Sequence, residues 1–334
     1  MRFVGLDIHW RRTTMCILNA QGKQVKQTTI RGGWEKMLAL VADLPKPIAV
    51  CYEASCGYGH LHDRLSKLAH RVVVAHPGQL RLIFRAKRKH DRVDAAKLAK
   101  LLFLDEVPPV YVPSRQVRSW RQLIEYRRRV IDKRTRSKNG IRTLLRSHGV
   151  VGPRGLWTGK GRQWLRQVAL PELGGFQRDL LLEELEQFDR QVEGMTRLLN
   201  RIGRRHPGVV LVQTIPGVGP RTAETIVAYM DDPSRFRRAR QVGAYFGLVP
   251  CQDASAAANR LGHITREGPP TARKLLVEAT WQGIRQSESI RGYFERIVGG
   301  KPERRKIAVV ATAHHLLRCM HAMLCTQQAW REAA

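Results

Sequence analysis

Along the first hundred residues the apolar positions change period several times. Residues 2–8 (RFVGLDI), 13–20 (TTMCILNA) and 24–30 (QVKQTTI) are short runs rich in apolar and β-branched residues. The last two are joined by a Gln-Gly-Lys turn, and together the three predict a β-meander. Residues 32–44 (GGWEKMLALVADL) space their apolar side chains as a helix does and stop before Pro45. Residues 47–54 (PIAVCYEA) are a continuous apolar run through Tyr52 that reaches Glu53, the mark of a strand buried on both faces. A helix over 59–70, a strand over 71–77 and a helix containing 89–99 (KHDRVDAAKLA) follow.

Further along, strands give way to helices. Residues 108–114 (PPVYVPS) are a Pro-rich break. Residues 115–147 form a long, very basic helical stretch with a stripe of Leu123, Val130, Ile141 and Leu145, and a Gly/Arg-rich loop lies near 149–162. Leu181, Leu185, Phe188, Val192, Met195, Leu199 and Ile202 then alternate spacings of four and three, a heptad seam with Glu183, Glu184 and Glu186 near its start. Its partner is either the preceding basic helix folded back or the same helix of a second subunit. Residues 214–230 (TIPGVGPRTAETIVAYM) carry the pattern of a helix-hairpin-helix element. Gly217 and Gly219 would let backbone amides approach a phosphate; the alternative is a tight helix-packing turn. The remainder reads as mostly helical. The expected fold class is α/β plus all-α, divided as 1–108, 109–206 and 207–330.

Three strands followed by alternating helices and strands is the element order of an RNase H-like fold. On that fold Asp7 falls on the central first strand, Glu53 at the end of the fourth, and Asp91 and Asp94 about one turn apart on a late helix. Clustered carboxylates repel unless a cation neutralises them. Hard divalent cations take oxygen ligands, and two such ions about 3.5–4 Å apart clamp the attacking and leaving oxygens of a phosphodiester. The acids therefore predict a Mg²⁺ site facing nucleic acid, the alternative for any one of them being a solvated surface charge or helix cap.

Charge strengthens that reading. The 334 residues carry 59 Lys and Arg against 28 Asp and Glu, a formal net charge of +31. Such an excess repels itself unless a polyanion neutralises it, and nucleic acid is the natural polyanion. A membrane surface is the weaker reading, since no uninterrupted apolar run reaches the ~18–20 residues of a bilayer span. Asp7 interrupts the first apolar stretch, so no signal peptide is expected. The six scattered cysteines form no Cys-x-x-Cys pair; reduced thiols and a cytoplasmic location are expected. Arg92, Arg127, Arg128, Arg129, Arg260, Arg266 and Lys274 are candidate phosphate contacts. Trp10 and Tyr58 are candidates either to stack on bases or to pack in the core.

GLDIH (5–9), YEASCGYG (52–59), KHDRVDAAKLA, TIPGVGPRTAETIVAYM and FGLVPCQDASAAANRLGHITREG (246–268) together resemble the IS-one-ten family of bridge-RNA-guided insertion-sequence transposases. The resemblance runs over nearly the whole chain. It implies a RuvC-like domain whose D-E-D-D metal site is Asp7, Glu53, Asp91 and Asp94. It implies a C-terminal transposase domain with a nucleophilic serine, for which Ser255 is the candidate before RLGHIT. It also implies a coiled coil, assembly into dimers or tetramers, and a structured guide RNA that pairs with donor and target DNA. Three departures stand out: ASAAAN around the serine in place of Gly and a following Lys, Cys56 where a glycine is usual, and Ile-His-Trp after the first Asp.

A serine hydroxyl needs activation, and a metal held by the acids would supply it without a dedicated histidine. Serine and acids on different domains would allow an active site shared between subunits. Two other functions are compatible with the sequence: a RuvC-type metal nuclease such as a junction resolvase, with no serine intermediate, and a non-catalytic nucleic-acid scaffold. All three predict binding dominated by phosphate contacts. DNA affinity should fall about a thousandfold or more between about 50 and 200 mM salt in a fluorescence anisotropy titration; a flat profile would contradict the electrostatic reading.

Overall fold

The short runs of the N-terminal region become one five-stranded sheet, built from β1 (Arg2–Ile8), β2 (Arg12–Leu18), β3 (Gln24–Arg31), β4 (Ile48–Glu53) and β5 (Arg71–Ala75) in the order β3-β2-β1-β4-β5. β1, β2 and β3 pair antiparallel, while β4 is parallel to both β1 and β5. The computed structural model describes residues 1–83, 91–255 and 258–332, and the chain divides into two units, Met1–Arg118 and Ser119–Ala334.

Alternation along the strands gives the sheet two different faces. Val4, Leu6, Met15, Ile17, Val50 and Tyr52 pack with Met37 and Val41 of α1 (Trp34–Ala42) and with Leu61 and Leu65 of α2 (Tyr58–Leu65). On the other face Cys16, Leu18, Ala49, Cys51 and Val73 meet Ala95, Leu98, Ala99 and Leu102 of α4 (Asp91–Phe103). A short helix, α3 (Pro77–Ile83), follows β5 and was not part of the sequence expectation. Gly5 lies on the α4 face, and a Cβ there would run into the backbone of Ala95 and Ala99. The helix therefore sits against β1 closer than any side chain on residue 5 would allow.

The second unit is mostly helical. α5 (Arg115–Ser147), whose first turn contains the unit boundary, and α7 (Glu172–Arg205) are long helices joined through α6 (Gly159–Gln167). They run antiparallel: Arg127 Nε donates to Thr196 Oγ1 (2.9 Å), Arg134 Nη1 to Asp189 Oδ1 (3.2 Å) and Ser137 Oγ to Glu184 Oε2 (2.9 Å). Ile141 and Leu145 pack with Leu165, Leu182 and Leu185 in a small core of their own. The folded-back basic helix thus covers part of the heptad seam within one chain.

At the other end, Trp120, Ile124 and Leu199 join a larger core with α8 (Pro207–Val212), α9 (Pro220–Met230), α10 (Ala239–Tyr245), α11 (Pro270–Gln286), α12 (Glu288–Val298) and α13 (Arg305–Thr326). The stretch Pro302–Thr326 has the length and apolar content of a membrane span, but just over half of it is buried inside the unit. Glu224 is buried beside Arg221, with 3.0 Å between Oε1 and Nη1. Burial pushes its carboxyl up to about 7, with Arg221 and Arg127 opposing the rise.

One segment departs from the helical expectation. Two strands, β6 (Pro250–Ser255) and β7 (Ala258–Ile264), pair antiparallel as a hairpin. Cys251, Gln252, Arg260, Leu261, Gly262 and His263 are all exposed, while Ile264 at the end of β7 packs on the helical core, and no hydrophobic alternation marks the segment in the sequence. Its base is clamped by Arg273, whose Nη1 donates to the carbonyls of Phe246 (3.1 Å) and Glu267.

Because backbone atoms cannot yield as side chains do, Gly5→Val should cost about 3 kcal/mol of stability in chemical denaturation of the full chain. An unchanged unfolding midpoint would mean that α4 is not seated on β1.

Candidate active site

The parallel register of β1 and β4 pairs Gly5 with Cys51 and Leu6 with Tyr52. The next positions along are Asp7 and Glu53, so two carboxylates end up side by side at the C-terminal edge of the two central strands. Gly5 and Cys51 face α4, and residues two further along a strand return to the same face. Asp7 and Glu53 therefore share the α4 side.

Helix α4 runs antiparallel to β1. Phe103 meets Phe3 edge-on, with ring centroids 5.3 Å apart, and Ala95 and Ala99 lie over Gly5. From the Phe3–Phe103 contact, Asp7 lies four strand residues away and Asp94 nine helical residues away, roughly 13 Å in each case. The start of α4 is thus level with Asp7. Asp94 also precedes Leu98 by four, on the stripe that packs against the sheet. The Gln27 side chain of β3 donates to the Arg92 carbonyl (2.6 Å), tying down this end of the helix. Asp91 opens α4; its side chain, and all of His90, lie outside the described residues.

Asp7 is mostly shielded and Asp94 less so, while Glu53 is exposed. His9 Nε2 lies 3.5 Å from Asp7 Oδ2 and Lys97 Nζ lies 3.6 Å from Asp94 Oδ1. Carboxylate oxygens on one edge are the donor type a hard divalent ion prefers. Among the described residues, no group of three or more His, Cys, Asp or Glu side chains is gathered closely enough to hold an ion. The donor chemistry fits a metal, but the described side chains do not form a cage for one.

Ser255 ends β6 and pairs with Ala258 across the tip of the exposed hairpin; its side chain lies outside the described residues. Arg260 and Arg266 are exposed on and after β7, Arg266 with a φ of 57°. Lys274 is exposed and 3.9 Å from Glu278. Arg127 is engaged by Thr196, and Arg128 Nη1 donates to Thr271 Oγ1 (3.1 Å), whereas Arg129 is exposed. Gly217, with a φ of 82°, packs against the backbone of Ala279–Gly283 on α11, while Gly219 has open space beside it. Sequence reasoning missed the Arg273 clamp. The only hint of it lies in the two glycines flanking the hairpin, Gly247 and Gly268, both with positive φ.

Residues 4–149 match the DEDD transposase model of the IS110 type, described simply as a transposase. Residues 210–295 match the model described as the transposase IS116/IS110/IS902 family. The chain belongs to this family of transposases. The transposase is 25% identical to the transposase for insertion sequence element IS1111A of Coxiella burnetii, over 99% of this chain and 92% of that protein. It is 25% identical to the transposase for insertion sequence element IS1328 of Yersinia enterocolitica, over 80% of each. It is also 25% identical to a Pseudomonas aeruginosa protein named "Probable family 20 transposase", over 92% of this chain and 91% of that one. Its substrate class is therefore DNA, and the DEDD assignment points to the use of a divalent metal.

If Asp7, Glu53 and Asp94 share an ion, Mg²⁺ or Mn²⁺ at about a hundredfold over its Kd should stabilise the transposase by about 2.7 kcal/mol. Asp7→Asn should melt higher than the natural protein in ion-free buffer, because like-charge repulsion is relieved. It should also lose most of the ion-induced rise in Tm. An equal rise in both proteins would show that Asp7 is not a ligand.

Proposed function

We propose that this transposase cuts and rejoins DNA strands of an insertion sequence with a metal-assisted serine nucleophile, guided by a structured bridge RNA. The observation that supports the reading is that Asp7 and Glu53 lie near the ends of the adjacent parallel strands β1 and β4, with Asp94 near the start of the helix packed on β1. The strand order β3-β2-β1-β4-β5 supports an RNase H-like, RuvC-like identity for this unit. Asp7, Glu53, Asp91 and Asp94 also occur, in the order D-E-D-D, within the matched span 4–149.

Asp7, Glu53, Asp91 and Asp94 would hold Mg²⁺, which when bound supplies charge stabilisation to the scissile phosphate and its leaving oxygen. Ser255 supplies the nucleophile. Its Oγ forms a bond to phosphorus, the bond from phosphorus to the 3′ oxygen breaks, and the hydroxyl proton ends on that oxygen as a free 3′ hydroxyl. One phosphodiester has become another, so rejoining by attack of a 3′ hydroxyl on the phosphoserine needs no ATP. Ser255 ends β6 at the far end of a hairpin whose described side chains are mostly exposed, and is suited to reach a strand held elsewhere.

The net charge of +31 suits long phosphate backbones of both DNA and RNA. If RNA pairing carries the sequence specificity, the protein needs mostly shape and backbone contacts. Assembly into a dimer or tetramer is supported by Leu173, Phe176 and Leu180, an exposed apolar stripe on α7.

The competing reading, a metal nuclease without a serine ester, draws on the fact that the three acids lie together in Met1–Arg118 while Ser255 belongs to the other unit. Incubation with labelled donor DNA, Mg²⁺ and co-purified RNA separates the two. The serine mechanism predicts a protein–DNA adduct, lost in Ser255→Ala together with strand cleavage, and a drop of about a hundredfold or more in Asp7→Asn. Cleavage by Ser255→Ala at the natural rate would establish the nuclease instead.

A further inference from the structure

The turn between β1 and β2 places a tryptophan where burial would not put one. His9 N–H donates to the Arg12 carbonyl (2.9 Å), so Trp10 and Arg11 form the centre of a tight turn. Trp10 is 71% exposed. A large indole left in water forgoes the stabilisation that burial would give it.

Its surroundings are built rather than loose. Trp34, at the start of α1, meets the Trp10 ring at 4.9 Å between centroids and 75° between planes. The Trp34 Nε1–H donates to the His9 carbonyl (3.3 Å), and its ring lies over Gly57, where a Cβ would intrude on it. Gly57, with a φ of 80°, caps α2. His60 lies alongside Trp34 with centroids 6.1 Å apart and planes 28° apart. Trp10, Arg11, Gly32, Gly33, Trp34, Glu35 and His60 line an open cleft of about 620 Å³. Glu35 is occupied by two hydrogen bonds from Arg64 (3.0 and 2.9 Å). Arg11 is exposed at the mouth, so the aromatic walls come with a cation.

The position of the cleft is as informative as its composition. It is made from the turn after β1, the link from β3 into the first residues of α1, and His60 of α2, and the turn after β1 is the one that follows Asp7. Three residues separate Asp7 from Trp10, a path of at most about 11 Å. Aromatic rings with a neighbouring arginine are how proteins hold unpaired bases without reading their sequence.

We propose that this cleft holds an unpaired base of the DNA strand whose phosphate is presented to Asp7 and Glu53, with the base stacked on Trp10 and its backbone on Arg11. The proposal rests on the acidic edge being the site of phosphate chemistry. It assigns to the turn between β1 and β2 a separate task, holding the strand open next to the scissile bond.

The test uses the full-length transposase in metal-free buffer at fixed salt, with a short single-stranded DNA, the same sequence as a duplex, and an oligoribonucleotide of that sequence. Trp10→Ala should weaken single-stranded DNA binding by about 5- to 150-fold, the range of one base stack. Trp10→Phe should stay within about threefold of the natural protein, and Arg11→Ala should lose less than Trp10→Ala. Duplex binding should not depend on residue 10, and an abasic residue in the strand should erase the difference between natural protein and Trp10→Ala. Unaltered single-strand binding in Trp10→Ala would overturn the proposal, and so would an equal loss with the duplex. A larger loss with RNA than with DNA would overturn the assignment to the DNA strand. The ion-induced rise in Tm keeps the two readings apart. Trp10→Ala should retain it, whereas Asp7→Asn should lose it and still show the single-strand increment. Loss of the increment with an intact metal response would defeat the cleft alone, and the reverse the acidic edge alone.

Discussion

The close approach of α4 to β1 over Gly5 governs the rest of the first unit. With no Cβ at residue 5, the backbone of Ala95 and Ala99 rests directly on the central strand. The small alanines on the helix complete the fit, and Leu98 and Leu102 pack over β4 and β5 to one side of β1. This seating fixes the height of the helix along the strand, and so the level at which Asp94 stands beside Asp7. A larger residue at position 5 would lift the helix and with it one member of the acid group.

A basic chain must also fold against its own repulsion. In the second unit part of the arginine excess is spent internally. Asp189 accepts from both Arg134 (3.2 Å) and Arg162 (2.5 Å), Glu184 accepts from Ser137, and Arg121 donates to the carbonyls of Ala228 and Tyr229. These contacts join α5 to α7 and to the end of α9. Arginine suits such places because its fork meets two acceptors at once. Of the run Arg127-Arg128-Arg129, the first two are engaged inside the unit and the third faces solvent. A basic run in the sequence is therefore not a uniform binding surface; helical phase sorts its members between structure and solvent.

Much of the first unit was legible because strands, turns and helices there obey their own periods. The five strands and the helix carrying Asp94 follow from apolar spacing, and Glu53 closes its strand as the apolar run ends. Other features had no such signal. The described side chains of the β6–β7 hairpin are mostly exposed, so the segment lacks the alternation that betrays a half-buried strand. Trp10 read as core or as a stacking platform, with core packing favoured, since an apolar ring alone does not say which side of the surface it occupies. Gly217 read as a phosphate-approach glycine or a packing glycine, and its backbone contact is with α11, more than fifty residues away in sequence.

By itself the sequence determined the order of elements, the strong positive charge and the four acids in their D-E-D-D order, all of which are local or additive properties of the residues. Only the tertiary structure decided that β1 and β4 are parallel neighbours, that α4 packs on β1 over Gly5, and that Trp10, Trp34 and His60 share one cleft. The reason is physical: these relations depend on pairing between strands and on close packing between segments far apart in the chain, and neither is written in the spacing of nearby residues.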